Sequence, residues 1–283
     1  MQLTFTKMQG AGNDYIYIDC TKELLENPEQ AAVTWSDRHF GIGGDGLVLI
    51  CPSTSADFRM RMFNADGSEG NMCGNAIRCV GKYVYDRGLT HQTRISIETK
   101  SGIKYLEMTP ENGKIRWVSV DMGQAILDPT EIPVCLPGDR IVNRPADFGG
   151  RSYRITCVSM GNPHCVTFVE EDVRTIPLAE IGPLFEHSPL FPQRVNTEFV
   201  RVLGPAEIEM RVWERGSGET LACGTGACAS LVAAVLNGFC PRDREVTVHL
   251  LGGDLLITWL EDGSVRMRGP AEEVFTGTVI WEG

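Results

Sequence analysis

The feature of this sequence that most constrains its fold is a repeat of about 150 residues that carries one cysteine in each copy. In the first copy, Glu69 is followed by three residues, then by Cys73-Gly and a helix-like run. In the second copy, Glu219 is followed in the same way by Cys223-Gly and an Ala/Leu/Val run that stops at Gly238. A glycine directly after such a run is typical of a helix C-terminus. The repeat therefore predicts two helices, each beginning at a cysteine.

The length of the repeat indicates how the chain is divided. Solenoid repeats are far shorter, so two copies of this size indicate two halves of one design. Other landmarks recur at nearly the same offset, among them Gly12-Asn13 and Gly161-Asn162. We therefore expect two pseudo-symmetric domains, residues 1–121 with Cys73 and residues 122–269 with Cys223.

The apolar pattern within each half predicts strands around these helices. In the first half it predicts strands at 3–8, 16–18, 47–50 and 58–63, and a helix from Pro28 to Phe40 that ends at Gly41. In the second half it predicts strands near 153–159, 198–203 and 207–213, with a variable, proline-containing segment from 171 to 193. The fold class expected is α+β.

The glycine-rich segment Gly41-Ile-Gly-Gly-Asp-Gly46 formally matches a dinucleotide-binding fingerprint. That fingerprint requires a strand before the glycines and a helix after them, whereas here a predicted helix precedes them and a strand follows. We therefore interpret the segment as a loop near the functional site.

Composition excludes several classes of protein. The net charge of −11 argues against nucleic-acid binding. No apolar run approaches transmembrane length, and the first residues lack the apolar stretch of a signal peptide. The expected location is the cytoplasm, with no membrane partner.

The chain contains ten cysteines but no Cys-x-x-Cys pair, so neither a disulfide framework nor a structural metal site is expected. The repeat distinguishes Cys73 and Cys223 from the other eight, which we expect to be small buried side chains. At a helix start, unpaired N–H groups and the helix dipole favour a thiolate over a thiol, and we expect this effect at Cys223.

Two such cysteines suggest a specific chemistry if the halves face each other across a cleft. One sulfur can remove a proton from a planar carbon while the other donates one from the opposite face, which inverts the configuration. Two other hypotheses remain: buried thiols that fall near helix starts by coincidence, and a redox pair or non-catalytic binding protein. No lysine stands out as a Schiff-base candidate, so we expect no pyridoxal phosphate.

Several motifs resemble those of the diaminopimelate epimerase family. They are Lys7-Met-x-Gly-x-Gly-Asn13-Asp, Phe63-Asn-Ala-Asp-Gly-Ser-Glu69, Cys73-Gly-Asn75, Gly161-Asn-Pro-His-Cys165 and the run from Glu214 through the Cys223 helix start. The resemblance implies a cofactor-independent isomerase that interconverts LL- and meso-2,6-diaminopimelate. It also implies two domains, each a mainly antiparallel sheet or barrel around a central helix, in a homodimer. A last strand, 270–283, would return to the first domain.

The resemblance also implies roles for individual residues. Cys73 and Cys223 would be the acid/base pair, and His164 and Glu214 would tune their proton affinity. The α-carboxylate of the substrate would lie on backbone groups at the two helix starts: Gly74, Asn75, Gly224 and Thr225. The distal amino-acid end would be read by Asn13, Asn64, Asn162, Asn196, Glu214 and Arg215.

The sequence departs from the family pattern at three positions. Gly46 stands where some members carry a substrate-contacting Gln, Ala76 where Gly is usual, and Tyr15 where Phe is commoner. The nearest rival is a proline or hydroxyproline racemase of the same fold. Such racemases typically carry His where this chain has Asn75, and they lack the Glu214-Arg215 pair.

Overall fold

The computed structural model describes residues 2–282. The chain forms two compact units, Met1–Asp121 with Arg268–Gly283, and Met122–Met267. The sequence predicted domain boundaries after residues 121 and 269.

The elements follow in chain order. The first are β1 (Gln2–Gly10), β2 (Asn13–Asp19), α1 (Pro28–Ser36), β3 (Gly46–Cys51), β4 (Phe58–Asn64), β5 (Glu69–Gly70), α2 (Gly74–Asp86), β6 (Arg94–Thr99), β7 (Gly102–Glu111) and β8 (Lys114–Gln124). The next are β9 (Arg144–Phe148), β10 (Arg151–Ser159), β11 (Pro163–Phe168), a 3-10 turn (Val173–Thr175), α3 (Leu178–Glu186), β12 (Asn196–Gly204), β13 (Glu207–Glu214) and β14 (Gly218–Glu219). The last are α4 (Gly224–Leu236), β15 (Val246–Leu250), β16 (Gly253–Trp259), β17 (Ser264–Pro270) and β18 (Glu272–Ile280).

In the first unit, a mainly antiparallel sheet surrounds α2. β1 pairs antiparallel with β2 and with β18, and parallel pairing joins β2 to β3 and β4 to β6. The helix α2 packs against β1, β2, β7 and β18. Its buried apolar side chains, Ile77, Val80 and Val84, recur at helical spacing and therefore share one face.

The second unit repeats this plan around α4. β9, β10 and β11 pair antiparallel, β11 pairs parallel with β12, and β13 pairs parallel with β15. Strands β10, β11, β12, β13, β15 and β16 all contact α4. Ten of the thirteen residues of α4 are buried, and a helix that is apolar on every side requires such enclosure. The α+β prediction, with strands around a central helix in each half, is confirmed.

The internal repeat extends to a helix that the sequence analysis did not predict. Residues 28–36 form α1 and residues 178–186 form α3, an offset of 150 residues at both ends. The segment 171–193, which the sequence marks only as variable and proline-containing, therefore contains a helix of the repeat. The repeat predicts α3 from the position of α1. The local sequence alone does not indicate a helix there, because it contains Pro183.

The helix α1 is shorter than predicted, because it ends at Ser36 and not at Phe40. The next residue, Asp37, accepts hydrogen bonds at Oδ1 from the backbone N–H groups of His39 and Phe40, both at 2.7 Å. An Asp side chain that binds following N–H groups favours a turn over continued helix. Phe40 lies beyond this turn and is exposed.

Seven of the eight cysteines outside the pair are buried, and Cys135 is exposed. The expectation of small buried side chains is therefore wrong for Cys135 alone. Within residues 2–282, no helix has both the length and the apolar character needed to cross a membrane.

Candidate active site

Both cysteines of the repeat are the N-caps of the central helices. Cys73 precedes α2 and Cys223 precedes α4, each with extended backbone angles. The Cys73 sulfur accepts from the N–H of Ala76 at 3.5 Å, and the Cys223 sulfur accepts from the N–H of Gly226 at 3.4 Å. A side-chain acceptor at this position satisfies one of the unpaired N–H groups of the first turn. The predicted helix starts are confirmed.

In the first unit, Asn13 lies beside Cys73. The Cys73 Sγ donates to Asn13 Oδ1 at 3.3 Å, and Asn75 Nδ2 donates to the same oxygen at 3.4 Å. Asn13 begins β2, and Asn75 lies in the first turn of α2, so strand and helix together position the three side chains. Cys73 is half-buried and Asn75 is buried.

Asn64 lies at the end of β4, next to the loop that leads to Cys73. Its Nδ2 donates to Ser68 Oγ at 2.9 Å, and its backbone N–H donates to the Ser68 carbonyl at 2.9 Å. Asn64 is thus held by its own loop and stands opposite Gly46 in the β3–β4 ladder.

Two further groups around Cys73 were missed by the sequence analysis as functional residues. Asp45, in the loop before β3, accepts at Oδ2 from Asn13 Nδ2 at 2.6 Å. Tyr15 on β2 is buried, and its hydroxyl lies close enough to Asn13 and Cys73 for both side chains to affect its pKa. Burial raises the pKa of Tyr15 well above its ordinary value, and the proximity of Cys73 and Asp45 adds to this shift.

In the second unit, the Cys223 side chain lies beside Thr225 and Glu214. Its sulfur is 3.5 Å from Thr225 Oγ1, and it is within hydrogen-bonding reach of Glu214. Asn162 Nδ2 donates to Thr225 Oγ1 at 3.2 Å, so Asn162 is connected to the first turn of α4.

His164 is fully buried between two oxygen atoms. Its Nε2 is 3.1 Å from Asn162 Oδ1, and its Nδ1 is 2.7 Å from Glu198 Oε1. Glu198 lies on β12 and was not among the predicted site residues. The only sequence signal for it is a Glu two residues after Asn196 at the start of a strand, which has no distinctive chemistry by itself.

Tyr15 and His164 occupy equivalent positions in the two units. Tyr15 stands opposite Gly46 in the parallel β2–β3 pair, and His164 stands opposite Asn196 in the parallel β11–β12 pair. Each follows the repeated asparagine, Asn13 or Asn162, by two residues. The repeat therefore places one such ring side chain in the unit of each cysteine, Tyr15 with Cys73 and His164 with Cys223.

The carboxyl group of Glu214 accepts a short hydrogen bond from Thr220 Oγ1. Burial raises the pKa of Glu214 above its ordinary value, and the Thr220 hydrogen bond and the charge of His164 oppose that shift. A carboxyl group in this state holds its proton to higher pH than an exposed one does.

Arg215 and Asn196 are joined by a backbone contact. The N–H of Arg215 donates to Asn196 Oδ1 at 2.9 Å, which leaves the Asn196 Nδ2 as its donor group. The Arg215 guanidinium is exposed and donates to the Gln193 carbonyl at 3.0 Å.

The helix start acts on Cys223 in the expected direction, but it does not control the pKa of this thiol. Burial raises the pKa of Cys223 well above its ordinary value, and the charges of Glu214 and Glu198 raise it further. Hydrogen bonds from Thr225 and the Gly226 N–H act in the opposite direction but are outweighed. Desolvation disfavours the charged form of a thiol, so Cys223 keeps its proton.

This chain is similar to known diaminopimelate epimerases along most of its length. The family model for diaminopimelate epimerase matches residues 5–127 and 156–274. A diaminopimelate epimerase of Acetivibrio thermocellus is 58% identical over 98% of this chain and 98% of its own length. One from Methanococcus maripaludis is 56% identical over 98% of this chain and 99% of its own. The chain belongs to the diaminopimelate epimerase family.

Solved structures with low sequence identity share the fold of this family member. A probable proline racemase of Agrobacterium radiobacter superposes with a TM-score of 0.71 at 12% identity, covering 99% of this chain and 93% of that one. A phenazine biosynthesis protein of Bacillus anthracis gives a TM-score of 0.69 at 15% identity, covering 99% of this chain and 100% of that one. At these identities the likeness shows the fold alone.

Proposed function

We propose that this protein is an isomerase that interconverts LL-2,6-diaminopimelate and meso-2,6-diaminopimelate, without a cofactor, by proton transfer between Cys73 and Cys223. Membership of the diaminopimelate epimerase family supports the substrate and the reaction. The observation that carries the mechanism is the position of the two cysteines, each the N-cap of a central helix in its own unit. The product serves lysine and peptidoglycan precursor synthesis, and we propose the cytoplasm as the location.

The proposed reaction is balanced in protons. One cysteine, as a thiolate, takes the proton from the α-carbon, and the electron pair of the broken C–H bond delocalises into the α-carboxylate. The other cysteine, as a thiol, donates its proton to the opposite face of the carbon. The first sulfur ends protonated and the second ends as a thiolate, so the reverse reaction uses the same groups in exchanged roles.

The raised pKa of Cys223 supports the thiol as its resting form. Glu214 and Glu198 contribute to this shift by their negative charge. In the direction that begins with this form, Cys223 is the proton donor and Cys73 is the base.

The first turns of α2 and α4 supply the groups that stabilise the developing charge. Backbone groups of Gly74 and Asn75 in one unit, and of Gly224 and Thr225 in the other, would bind the α-carboxylate. N–H groups at a helix start bind anions, and they stabilise an enolate-like carboxylate more strongly than the ground state.

The distal end of the substrate requires groups for one carboxylate and one ammonium. Arg215 is suited to a bidentate grip on a carboxylate, and Glu214 accepts hydrogen bonds from an ammonium. Amide groups serve either end, and the proposed contributors are Asn13, Asn64, Asn162 and Asn196.

We also propose a homodimer, with the small-molecule substrate as the only other partner. The support lies in β18, whose nine residues are exposed or half-buried and which pairs with β1 along one edge. Val274, Phe275 and Ile280 are large apolar side chains exposed on this strand. An exposed apolar edge strand is suited to pairing with a second copy.

The test is deuterium incorporation at the α-carbon of LL-diaminopimelate in heavy water, with reductant and without added cofactor, beside a parallel sample of L-proline. Exchange with inversion in diaminopimelate alone is the expected result. Exchange in proline alone would retain the two-cysteine chemistry and overturn the substrate. Absence of exchange in both, from folded and reduced protein, would overturn the proposed reaction.

A further inference from the structure

Asp45 connects the reactive region of the first unit to a cluster of charged side chains. Its Oδ1 is 2.8 Å from Arg38, and Arg38 also pairs with Asp14 at 2.7 Å. Asp14 is in turn 2.7 Å from the buried ammonium group of Lys7. Arg38 therefore holds the Asp45 carboxylate through Oδ1, the oxygen that does not contact Asn13.

The other oxygen of Asp45 determines which way the Asn13 amide points. An ionised carboxylate only accepts hydrogen bonds, whereas an amide group presents an acceptor at one end and donors at the other. The 2.6 Å contact from Asp45 Oδ2 must therefore be made by Asn13 Nδ2. A backbone contact at 3.1 Å, from the N–H of Asp14 to the same oxygen, fixes the carboxylate further.

With its amide oriented in this way, Asn13 directs Oδ1 at Cys73. That oxygen lies 3.3 Å from the Cys73 sulfur and 3.4 Å from Asn75 Nδ2. A carbonyl oxygen accepts from a thiol but repels a thiolate. The reversed amide would present N–H groups to the sulfur and favour the thiolate instead.

We propose that Asp45 is a positioning residue that controls the protonation of Cys73 by fixing the orientation of the Asn13 amide. The carboxylate does not touch the reacting atoms and acts through Asn13. This inference rests on the proposed acid/base role of Cys73 and adds to it a reason why the thiol form, which donates the proton in the reverse direction, is available there.

Other titratable groups face Cys73 within the first unit. Tyr15 and Tyr17 approach from β2, and both are influenced by the charge of Cys73. On α2 itself, Cys79 is influenced by Cys73 and by the fully buried Arg78. Arg78 donates to the carbonyls of Gly74 and Pro270. Among these groups, Tyr15 is the one whose pKa is affected by the Asn13 side chain. Tyr15 is left unchanged in the test.

The test measures the rate of Cys73 alkylation by iodoacetamide against pH, with peptide-resolved mass spectrometry to separate Cys73 from the exposed Cys135. In Asp45→Asn, the new amide can either accept or donate a hydrogen bond, so the Asn13 amide can adopt either orientation. The pH midpoint is expected to fall by about one unit, which makes alkylation about tenfold faster at pH values below the midpoint.

A double-mutant cycle separates this mechanism from simple loss of a negative charge. In an Asn13→Ala background, Asp45→Asn is expected to change the alkylation rate by less than about twofold, because no amide remains to reverse. An equal shift in both backgrounds, or no shift in Asp45→Asn alone, would overturn the proposal.

If Asp45→Asn does not fold, as judged by circular dichroism, Asp45→Ser replaces it, since a hydroxyl also donates and accepts. Alkylation is measured without substrate, so the result does not depend on epimerase activity. Failure of the proposed reaction would appear in the deuterium experiment and would leave the alkylation profiles interpretable.

Discussion

Glu198 Oε1 lies 2.7 Å from His164 Nδ1, and both side chains are fully buried. Through Asn162 and Thr225, the same chain of hydrogen bonds reaches the first turn of α4, where Cys223 lies. A buried carboxylate is costly unless it is paired, and His164 provides the partner. Glu198 thus joins the proposed tuning residues His164 and Glu214, although its sequence context does not distinguish it.

Replacing Glu198 by Gln is expected to make Cys223 more reactive. The negative charge of Glu198 adds to burial and Glu214 in raising the pKa of Cys223, so its removal lowers that pKa and increases the thiolate fraction at neutral pH. Alkylation of Cys223 should be several-fold faster. Epimerisation should be slower, because the pKa values of the two cysteines would be less well matched. Glu209→Gln is the matched control, since Glu209 is a buried carboxylate that pairs with Arg201 and should leave Cys223 unchanged. Equal alkylation rates in wild type and Glu198→Gln would contradict the assignment.

Cys73→Ala and Cys223→Ala are each expected to reduce epimerisation by about 10³-fold or more, because each removes one of the two groups that exchange the α-proton. The measurement is conversion of LL- to meso-diaminopimelate by chiral chromatography. Cys135→Ala is the control, because Cys135 is exposed and lies outside the proposed site. Substantial activity in either variant of the pair would remove the two-base mechanism.

Tyr15→Phe is expected to slow alkylation of Cys73 at neutral pH by several-fold. The change removes a hydroxyl that lies close to Cys73 and Asn13, and an O–H group that can donate to the sulfur favours the thiolate over the thiol. Tyr17→Phe is a close control on the same strand, since its hydroxyl donates to the Ala76 carbonyl at 3.2 Å. Identical effects of the two substitutions would show that Tyr15 has only a packing role.

Gly46→Ala is expected to destabilise the first unit. A Cβ at this position would overlap the Phe63 carbonyl oxygen and would lie 2.9 Å from Tyr15 Cε1, so the β3–β4 ladder must shift. The loss in the free energy of unfolding should be about 1–3 kcal/mol or more, the usual cost of overpacking. Gly204→Ala serves for comparison, because a Cβ there meets nothing within 4 Å. Unchanged thermal unfolding of Gly46→Ala would refute this.

The stability of the protein is expected to fall in acid partly through Asp14. Burial tends to raise the pKa of Asp14, but hydrogen bonds and charges from Arg38 and Lys7 outweigh it and lower that pKa. A lowered folded-state pKa stabilises the protein above the unfolded value of about 3.9, and this stabilisation is lost as pH falls through the folded value. Denaturant unfolding at several pH values should show a shallower acid dependence in Asp14→Asn than in wild type. The exposed Asp139→Asn should leave the slope unchanged.

Local patterns predicted those elements whose signal lies in consecutive residues. The starts of α2 and α4 follow from Cys-Gly before an apolar run, and most strands follow from alternation. β11 is not among the predicted strands, yet Pro163–Phe168 forms a buried strand. There the decisive factor is enclosure by β10 and β12, which the segment itself does not encode.

By itself, the sequence determined the repeat, the two cysteines at helix starts and the α+β class, because these depend on residue type and spacing along the chain. Only the tertiary structure decided which side chains surround each cysteine. Asp45 reaches Asn13 across 32 positions and His164 reaches Glu198 across 34, separations that carry no periodic signal. It also decided the balance at Cys223, where the effect of the helix start on the thiolate is opposed by burial. In the folded unit, burial and the charges of Glu214 and Glu198 outweigh the helix N-terminus.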